Sequence, residues 1–213
     1  MRVVQPTGEV ELSGEKIFIN TGAQSTIPNV EGLTSTPGVF DSTGLLNLTQ
    51  RPERLGILGG GYIGVEFASM FANFGSKVTI YEAAPQFLPR EDRDIADTIA
   101  NILRDQGVEL ILNANVQSVS SHDGAVQLHM PEGTQTVDVL LVASGRKPAT
   151  ENLQLQNAGV DVNDRGAIIV NKYLRTSADN IWAMGDVTGG LQFTYISLDD
   201  FRIVRDNLLG EGV

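Results

Sequence analysis

An α/β fold built on a parallel sheet is what this sequence predicts, and three observations predict it. A glycine-rich turn lies between an apolar run and a helical pattern in "RLGILGGGYIGVEFASM", Arg54 to Met70. A second apolar run, "KVTIYE", follows that helical pattern directly. Further on, "NVQSVSSHDGAVQLHMPEGTQTVDVLLVASG" alternates polar and apolar residues between turn signals, the signature of an antiparallel meander. Strand, turn, helix and strand make a βαβ unit, so the class is Rossmann-like: a parallel sheet with an added antiparallel β-meander.

The elements follow in order. "EVELSGEKIFINTGAQSTIPNVEG" reads as two strands and a long connection, because alternation gives way to a glycine and a proline-bearing loop. "LGIL" is the first strand of the βαβ unit and "KVTIYE" the second. Between them Ile63, Phe67, Met70, Phe71 and Phe74 recur at helical spacing, and Gly75 stands where a helix ends. A second helix in "REDRDIADTIANILRDQG" crowds acidic residues into its first turn, takes Ile95, Ile99, Ile102 and Leu103 as its apolar face and ends at Gly107. "VELIL" is a third strand. The meander turns at Asp123-Gly124 and Glu132-Gly133 and closes with a buried strand, Val139 to Ala143. Beyond it the chain is loop-rich up to "NIWAMGD", and "YISLDDFRIVRDNLL" reads as a last amphipathic helix.

Composition narrows the partners. The 213 residues, 41% hydrophobic, suffice for a real core. With 26 acidic against 15 basic residues the net charge is -11, the wrong sign for tracking a phosphate backbone, so no nucleic-acid partner is expected. No apolar stretch approaches the roughly 20 residues that cross a bilayer, and "MRVVQPTGEVEL" lacks a secretory apolar block. No membrane association and a cytoplasmic location are the expectation. The absence of cysteine excludes disulfides, thiolate metal sites and a redox dithiol within this chain.

The glycine turn carries the chemistry. Gly59, Gly60, Gly61, Tyr62, Ile63 and Gly64 follow a strand and open a helix inside a βαβ unit, the context that turns a G-x-G-x-x-G from a chance cluster into a dinucleotide site. Gly59 permits the tight turn, Gly61 lets the backbone approach a pyrophosphate, and Gly64 lets helix and strand pack closely. The helix N-terminus then offers N–H groups and partial positive charge to the anion. Glu82 ends the second strand 23 positions after Gly59, near the offset at which an acid accepts hydrogen bonds from the adenosine ribose. A carboxylate there repels a 2′-phosphate; Arg90 lies downstream and Lys77 at the far end of the strand, so NAD(H) is favoured over NADP(H).

Three stretches, "GGGYIGVEFA", "VASGRKPATENL" and "RTSADNIWAMGDV", resemble in this order the pyridine nucleotide-disulfide oxidoreductases, the flavoproteins that include lipoamide dehydrogenase, glutathione reductase and mercuric reductase. The resemblance runs from about Glu9 to Gly210, and the wording as a whole is similar to the family's bacterial reactive-chlorine-resistance, cupric reductase-like branch. It implies an NAD(P)-binding domain at 47–147 inserted between two segments of an FAD-type domain, 1–46 and 148–213. Asp186 would accept a hydrogen bond from the FAD ribityl chain, and Thr21 and Gly22 would lie along the FAD. Tyr62 matches an aromatic gate over the flavin, and Glu66 an acid near the nicotinamide carboxamide. Gly145 matches a close-approach glycine beside the nicotinamide nucleotide, with Ser144 in place of the more common Thr. Thr194 and Tyr195 begin a helix that would face the flavin pyrimidine, where the family usually has Ala-His. The reaction implied is hydride transfer from nicotinamide C4 to flavin, with electrons passing on to a disulfide or a metal ion.

The family's FAD-type glycine motif, its C-x-x-x-x-C pair and its dimerisation domain with a His-Glu pair have no counterpart in these residues. The chain is therefore expected to be an excerpt of a homodimeric parent, binding NADH without holding FAD tightly. The alternative is a redox-inactive dinucleotide-binding or sensor module. No metal site is expected: His122 and His129 have no third ligand in sequence, and "DVNDRG" places Arg165 and Lys172 at calcium-ligand positions.

Overall fold

In the computed structural model, which describes residues 1–210, the chain divides into two compact units. The central unit is Ser25–Gly145, and the outer unit joins Met1–Gln24 to the stretch from Arg146 onward.

The outer unit starts with β1 (Arg2–Gln5) and β2 (Gly8–Glu11), an antiparallel hairpin, then β3 (Ile17–Ile19) and β4 (Ala23–Ser25). The stretch from Glu9 expected to hold two strands takes part in three, β2, β3 and β4, and the residues before it add β1, which pairs with β2 across the turn at Pro6-Thr7.

The central unit holds β5 (Val39–Phe40), α1 (Ser42–Leu46), β6 (Arg54–Leu58), α2 (Tyr62–Asn73), β7 (Lys77–Glu82), α3 (Arg93–Asp105), β8 (Glu109–Leu112), β9 (Ser118–His122), β10 (Ala125–Met130), β11 (Gly133–Val137) and β12 (Val139–Val142). Five strands form a parallel sheet in the order β5-β12-β6-β7-β8, and β11-β10-β9 form the antiparallel meander. Both expectations for the class hold. β6 and β12 lie inside the sheet, which is why Leu55, Ile57, Leu140 and Leu141 are all at 0% exposure. The meander turn at Asp123-Gly124 has φ of +50° and +78°, as a two-residue hairpin turn demands.

Two details differ from the sequence reading. The buried face of α3 is Ala96, Ala100 and Leu103, while Ile95 and Ile102 stand outward at about half exposure. Small alanines let α3 approach the sheet closely, which turns the larger isoleucines away from the contact. Phe74 likewise sits exposed at the end of α2, edge-on to Phe71 at 5.8 Å. The second difference is the unit boundary: residues 25–46, expected to go with the flanking segments, belong to the central unit. β5 pairs with β12 through Val39 and Phe40, and Leu33 and Leu45 are buried in its cores. A two-residue strand whose partner lies about a hundred positions away leaves no periodicity to read.

A clamp fixes the start of the central sheet. Arg54 donates through Nε (3.1 Å) and Nη2 (2.5 Å) to Asp138 Oδ1, and its backbone N–H donates to Oδ2 at 2.7 Å. The guanidinium holds the Asp138 carboxyl below the usual carboxylate range and is itself raised by it.

The outer unit resumes with β13 (Arg146–Pro148), β14 (Ile181–Ala183) and α4 (Thr194–Leu209). β14 pairs parallel with β3, and the last helix lies where the sequence put it. Around this pair sit two small cores, one of Leu155, Val160, Ile168, Ile181, Ala183 and Val187, the other of Leu174, Trp182, Met184 and Val204. Among the described residues no helix is long and apolar enough to cross a membrane.

Candidate functional site

The turn between β6 and α2 is shaped by what its glycines exclude. Gly59 has φ +110° and donates to Tyr81 O at 2.9 Å; a Cβ there would stand 2.5 Å from Ala143 O. A Cβ on Gly64 would stand 2.2 Å from Gly59 O. These two positions admit no side chain because backbone fills the space. Gly61 is the opposite case: its Cβ would meet nothing within 4 Å, so the space above it is open. Gly61 is also the N-cap of α2, and no side chain caps that helix. The first turn of α2 therefore presents backbone donors and the positive end of the helix dipole next to an open surface. Ile63 anchors this turn by packing on the main core cluster.

Glu82 lies under the turn. Its Oε2 accepts from Gly60 N at 2.6 Å and its Oε1 from Ala84 N at 2.8 Å. A carboxylate has about four lone-pair sites, so each oxygen held this way keeps acceptor capacity for a ligand. Phe87, 5% exposed, closes the far side: its ring lies 3.1 Å from where a Gly60 Cβ would be. Among the described residues no cation is a hydrogen-bond partner of Glu82; Lys77 pairs in register with Arg54 at the other end of β7, and Arg90 is exposed.

Tyr62, the first residue of α2, is half exposed and donates its OH to Glu91 Oε1 at 2.5 Å. Glu66 lies one turn later on the same helix, exposed. The segment after β12 runs beside the turn, since a Cβ on Gly59 would also lie 3.1 Å from Ser144 Cα. Gly145 follows at φ +132° with open space over its Cα; its carbonyl accepts from Thr26 N at 2.9 Å, while Ser144 Oγ donates to Thr26 O at 2.8 Å. The fold thus gathers Gly59–Gly64, Glu82, Ser144 and Gly145 at the C-terminal edge of one parallel sheet, where open α/β sheets bind ligands. Glu91 and Phe87 escaped the sequence reading because they lie in an irregular loop; the positive φ of Leu88, +44°, leaves no mark in the residue types.

The remaining candidates lie in the outer unit. Thr21 Oγ1 donates to Ala149 O at 2.9 Å, and Gly22, φ +71°, accepts from Ala149 N at 2.9 Å. Asp186 sits in a 3-10 turn, Gly185–Thr188, just past β14, half-buried and with no donor to its carboxylate among the described residues. Gly185 has φ +72°, its N–H donates to Asp200 Oδ2 at 2.8 Å, and a Cβ there would stand 2.9 Å from Asn20 Oδ1. The ends of β3 and β14 and the first turns of α4 therefore meet. Thr194 opens α4, exposed, again without a side-chain cap. Asn20 was missed because its partner, Gly185, is remote in sequence, and Asp200 because a loop separates it from Gly185.

Other sequence candidates resolve into local structure. His129 hydrogen-bonds Ser120 Oγ (2.8 Å) and Thr134 Oγ1 (3.1 Å), and His122 faces Asp123 at 3.3 Å on the surface. In "DVNDRG", Asn163 Oδ1 accepts from the backbone of Arg165 and Ala167, an ordinary turn. Among the described residues no group of three or more His, Cys, Asp or Glu could hold a metal ion.

Comparison with known proteins gives one family. Residues 2–200 match the pyridine nucleotide-disulphide oxidoreductase family. The chain is 70% identical over 212 residues to a probable pyridine nucleotide-disulfide oxidoreductase, RclA, of Escherichia coli, covering 100% of this chain and 48% of that protein. It is 35% identical over 204 residues to a mercuric reductase of Bacillus cereus, covering 94% of this chain and 32% of that protein. A solved Cu(II) complex of the HOCl-induced flavoprotein disulfide reductase RclA superposes with a TM-score of 0.96 at 70% identity, over 99% of this chain and 48% of that one. A water-forming NADH oxidase of Lactobacillus brevis bound to NADH shares the fold, with a TM-score of 0.85. The chain spans about half the length, or less, of the curated relatives it matches.

Proposed function

Because the chain belongs to the pyridine nucleotide-disulphide oxidoreductases, we propose that its central unit is the NADH site of a flavoprotein oxidoreductase and that its outer unit contributes part of the FAD site. When bound, NADH would supply hydride from nicotinamide C4 and FAD would take it up, with a disulfide or a metal ion as the final acceptor. The relatives support that acceptor range, one being a flavoprotein disulfide reductase solved as a Cu(II) complex and another a mercuric reductase.

The residues bind and orient. Backbone amides from Gly61 onward receive the diphosphate, and the uncapped end of α2 stabilises its charge. Glu82, aimed by Gly60 and Ala84, accepts from the ribose hydroxyls and disfavours a 2′-phosphate. Gly145 admits the nicotinamide nucleotide beside the turn, with Tyr62 and Glu66 of α2 on the nicotinamide side. In the outer unit Asp186 keeps a carboxylate available for the ribityl chain, Thr21 and Gly22 line the flavin, and the start of α4 at Thr194 favours negative charge.

One observation carries the reading: the closed space at Gly59 and Gly64 beside the open space at Gly61, with Glu82 hydrogen-bonded to the same turn. Calorimetric titration with NADH and NADPH tests it. NADH is expected to bind at least about tenfold more tightly, roughly 1.4 kcal/mol. Absence of any NADH binding at millimolar concentration would refute the site, and equal affinities would refute the role of Glu82. The purified chain is expected to carry well under one flavin, since its glycine motif is committed to NADH; stoichiometric flavin absorbance would contradict this.

A further inference from the structure

The loop between β7 and α3 touches the glycine turn at two places. At its start Glu82 accepts from Gly60 N, and the Phe87 ring lies against Gly60. At its end Glu91 accepts from the OH of Tyr62, the residue that opens α2, at 2.5 Å.

The loop carrying Glu91 is itself braced. Arg93 Nη2 donates to Leu88 O at 2.6 Å, Phe87 O at 3.0 Å and Glu91 O at 3.3 Å. Glu91 N donates to Leu88 O at 3.0 Å, and Leu88 is held at φ +44°, a conformation that persists in a leucine only when its surroundings impose it. These bonds hold the backbone that carries the carboxylate.

We infer that Glu91 is a positioning residue of the nucleotide site: through the Tyr62 hydroxyl it straps the β7–α3 loop to the start of α2, so that Glu82 and the helix amides meet the ligand as one preorganised unit. This rests on the NADH reading above. Preorganisation raises affinity by lowering the ordering cost at binding, so loosening the strap weakens NADH and NADPH alike and leaves the preference set by Glu82 unchanged.

The test uses Glu91→Ala, Glu91→Gln, Tyr62→Phe and the Ala/Phe double variant of the full chain. The readouts are NADH and NADPH affinity and the ¹⁹F spectrum of protein labelled with 3-fluorotyrosine, which has four tyrosines to resolve. Glu91→Ala and Tyr62→Phe are each expected to weaken NADH about fivefold, the worth of one hydrogen bond, with an unchanged NADH to NADPH ratio. The double variant should match the single ones, as residues acting as one pair do. Glu91→Gln, whose amide oxygen still accepts, should recover most of the affinity. Without any nucleotide, the resonance assigned to Tyr62 should move in Glu91→Ala and stay near its original place in Glu91→Gln. Additive single effects, an unmoved Tyr62 resonance, or wild-type affinity in Glu91→Ala would overturn the inference alone. No NADH binding by the unsubstituted chain would take the inference and the NADH reading down together.

Discussion

The two units place a positive-φ glycine in similar positions and surround it differently. Gly59 follows β6 and is walled by backbone, Ala143 O at 2.5 Å from its would-be Cβ. Gly185 follows β14 and is walled by side-chain ends, Asn20 Oδ1 at 2.9 Å and Ser197 Oγ at 3.1 Å. Around Gly59 stands a five-stranded parallel sheet; around Gly185 stands a pair of three-residue strands. Backbone walls belong to a site whose shape the sheet dictates, and side-chain walls to one assembled from distant segments. A group added at Gly59 would meet backbone that the sheet holds in place, whereas one added at Gly185 would meet side chains that can rotate.

The sharpest way to break that contrast is to give each glycine a methyl group. Gly59→Ala combines an unfavourable φ with a clash against immovable backbone, and is expected to lower stability by about 3 kcal/mol and NADH affinity at least about a hundredfold. Gly185→Ala meets the same φ penalty, but Asn20 and Ser197 can rotate away, so about 1–2 kcal/mol is expected, with NADH affinity intact. Urea denaturation midpoints and calorimetry of both variants check this. Equal losses would mean that the outer site is as rigid as the central one.

A smaller effect tests whether the central site discriminates by charge. Glu82→Gln keeps an oxygen acceptor but removes the negative charge, so the NADH preference should shrink by about tenfold, mainly through improved NADPH binding. A ratio left unchanged would show that the shape of the Phe87 loop, and not the carboxylate, selects the nucleotide.

What the sequence disclosed follows the same division. Gly59, Gly61 and Gly64 are neighbours along the chain, and Glu82 is one strand away, so their relation is written in spacing alone. Of the five-stranded sheet, β6, β7 and β8 were legible; Val139–Ala143 reads as the end of the meander, yet β12 pairs parallel with β6, and β5, two residues long, pairs with β12 far downstream. In the outer unit, resemblance picked out Asp186, Thr21 and Thr194. The contacts that set their backbone, Asn20 against Gly185 and Asp200 on Gly185 N, join residues well over a hundred positions apart or separated by a loop. Glu91 was invisible for another reason: one carboxylate in an irregular acidic loop carries no period, and only the fold brings it to Tyr62. The inward face of α3 was misjudged because hydrophobicity ranks isoleucine above alanine, whereas close helix-on-sheet packing favours the smaller residue.

The faintest expected contrast concerns acid. Asp138 has a folded-state pKa held below its ordinary value, first by its hydrogen bond to Arg54. A depressed carboxylate stabilises the fold above its unfolded value of about 4 and loses that contribution as pH falls through the folded value. Glu151 in the outer unit is also lowered, by Lys147, but both partners are exposed and form only a surface pair between a strand and the turn after it. Asp138 also receives the backbone N–H of Arg54, at the first residue of β6, and so ties its charge to the sheet. Lowering the pH from about 6 to about 3 should therefore weaken the central unit slightly, by under about 1 kcal/mol given partial exposure and screening. Asp138→Asn should flatten that slope, whereas Glu151→Gln should leave it almost as steep. A reversed ranking of the two variants, read from urea midpoints across that pH range, would mean that the backbone tie adds nothing to the ion pair.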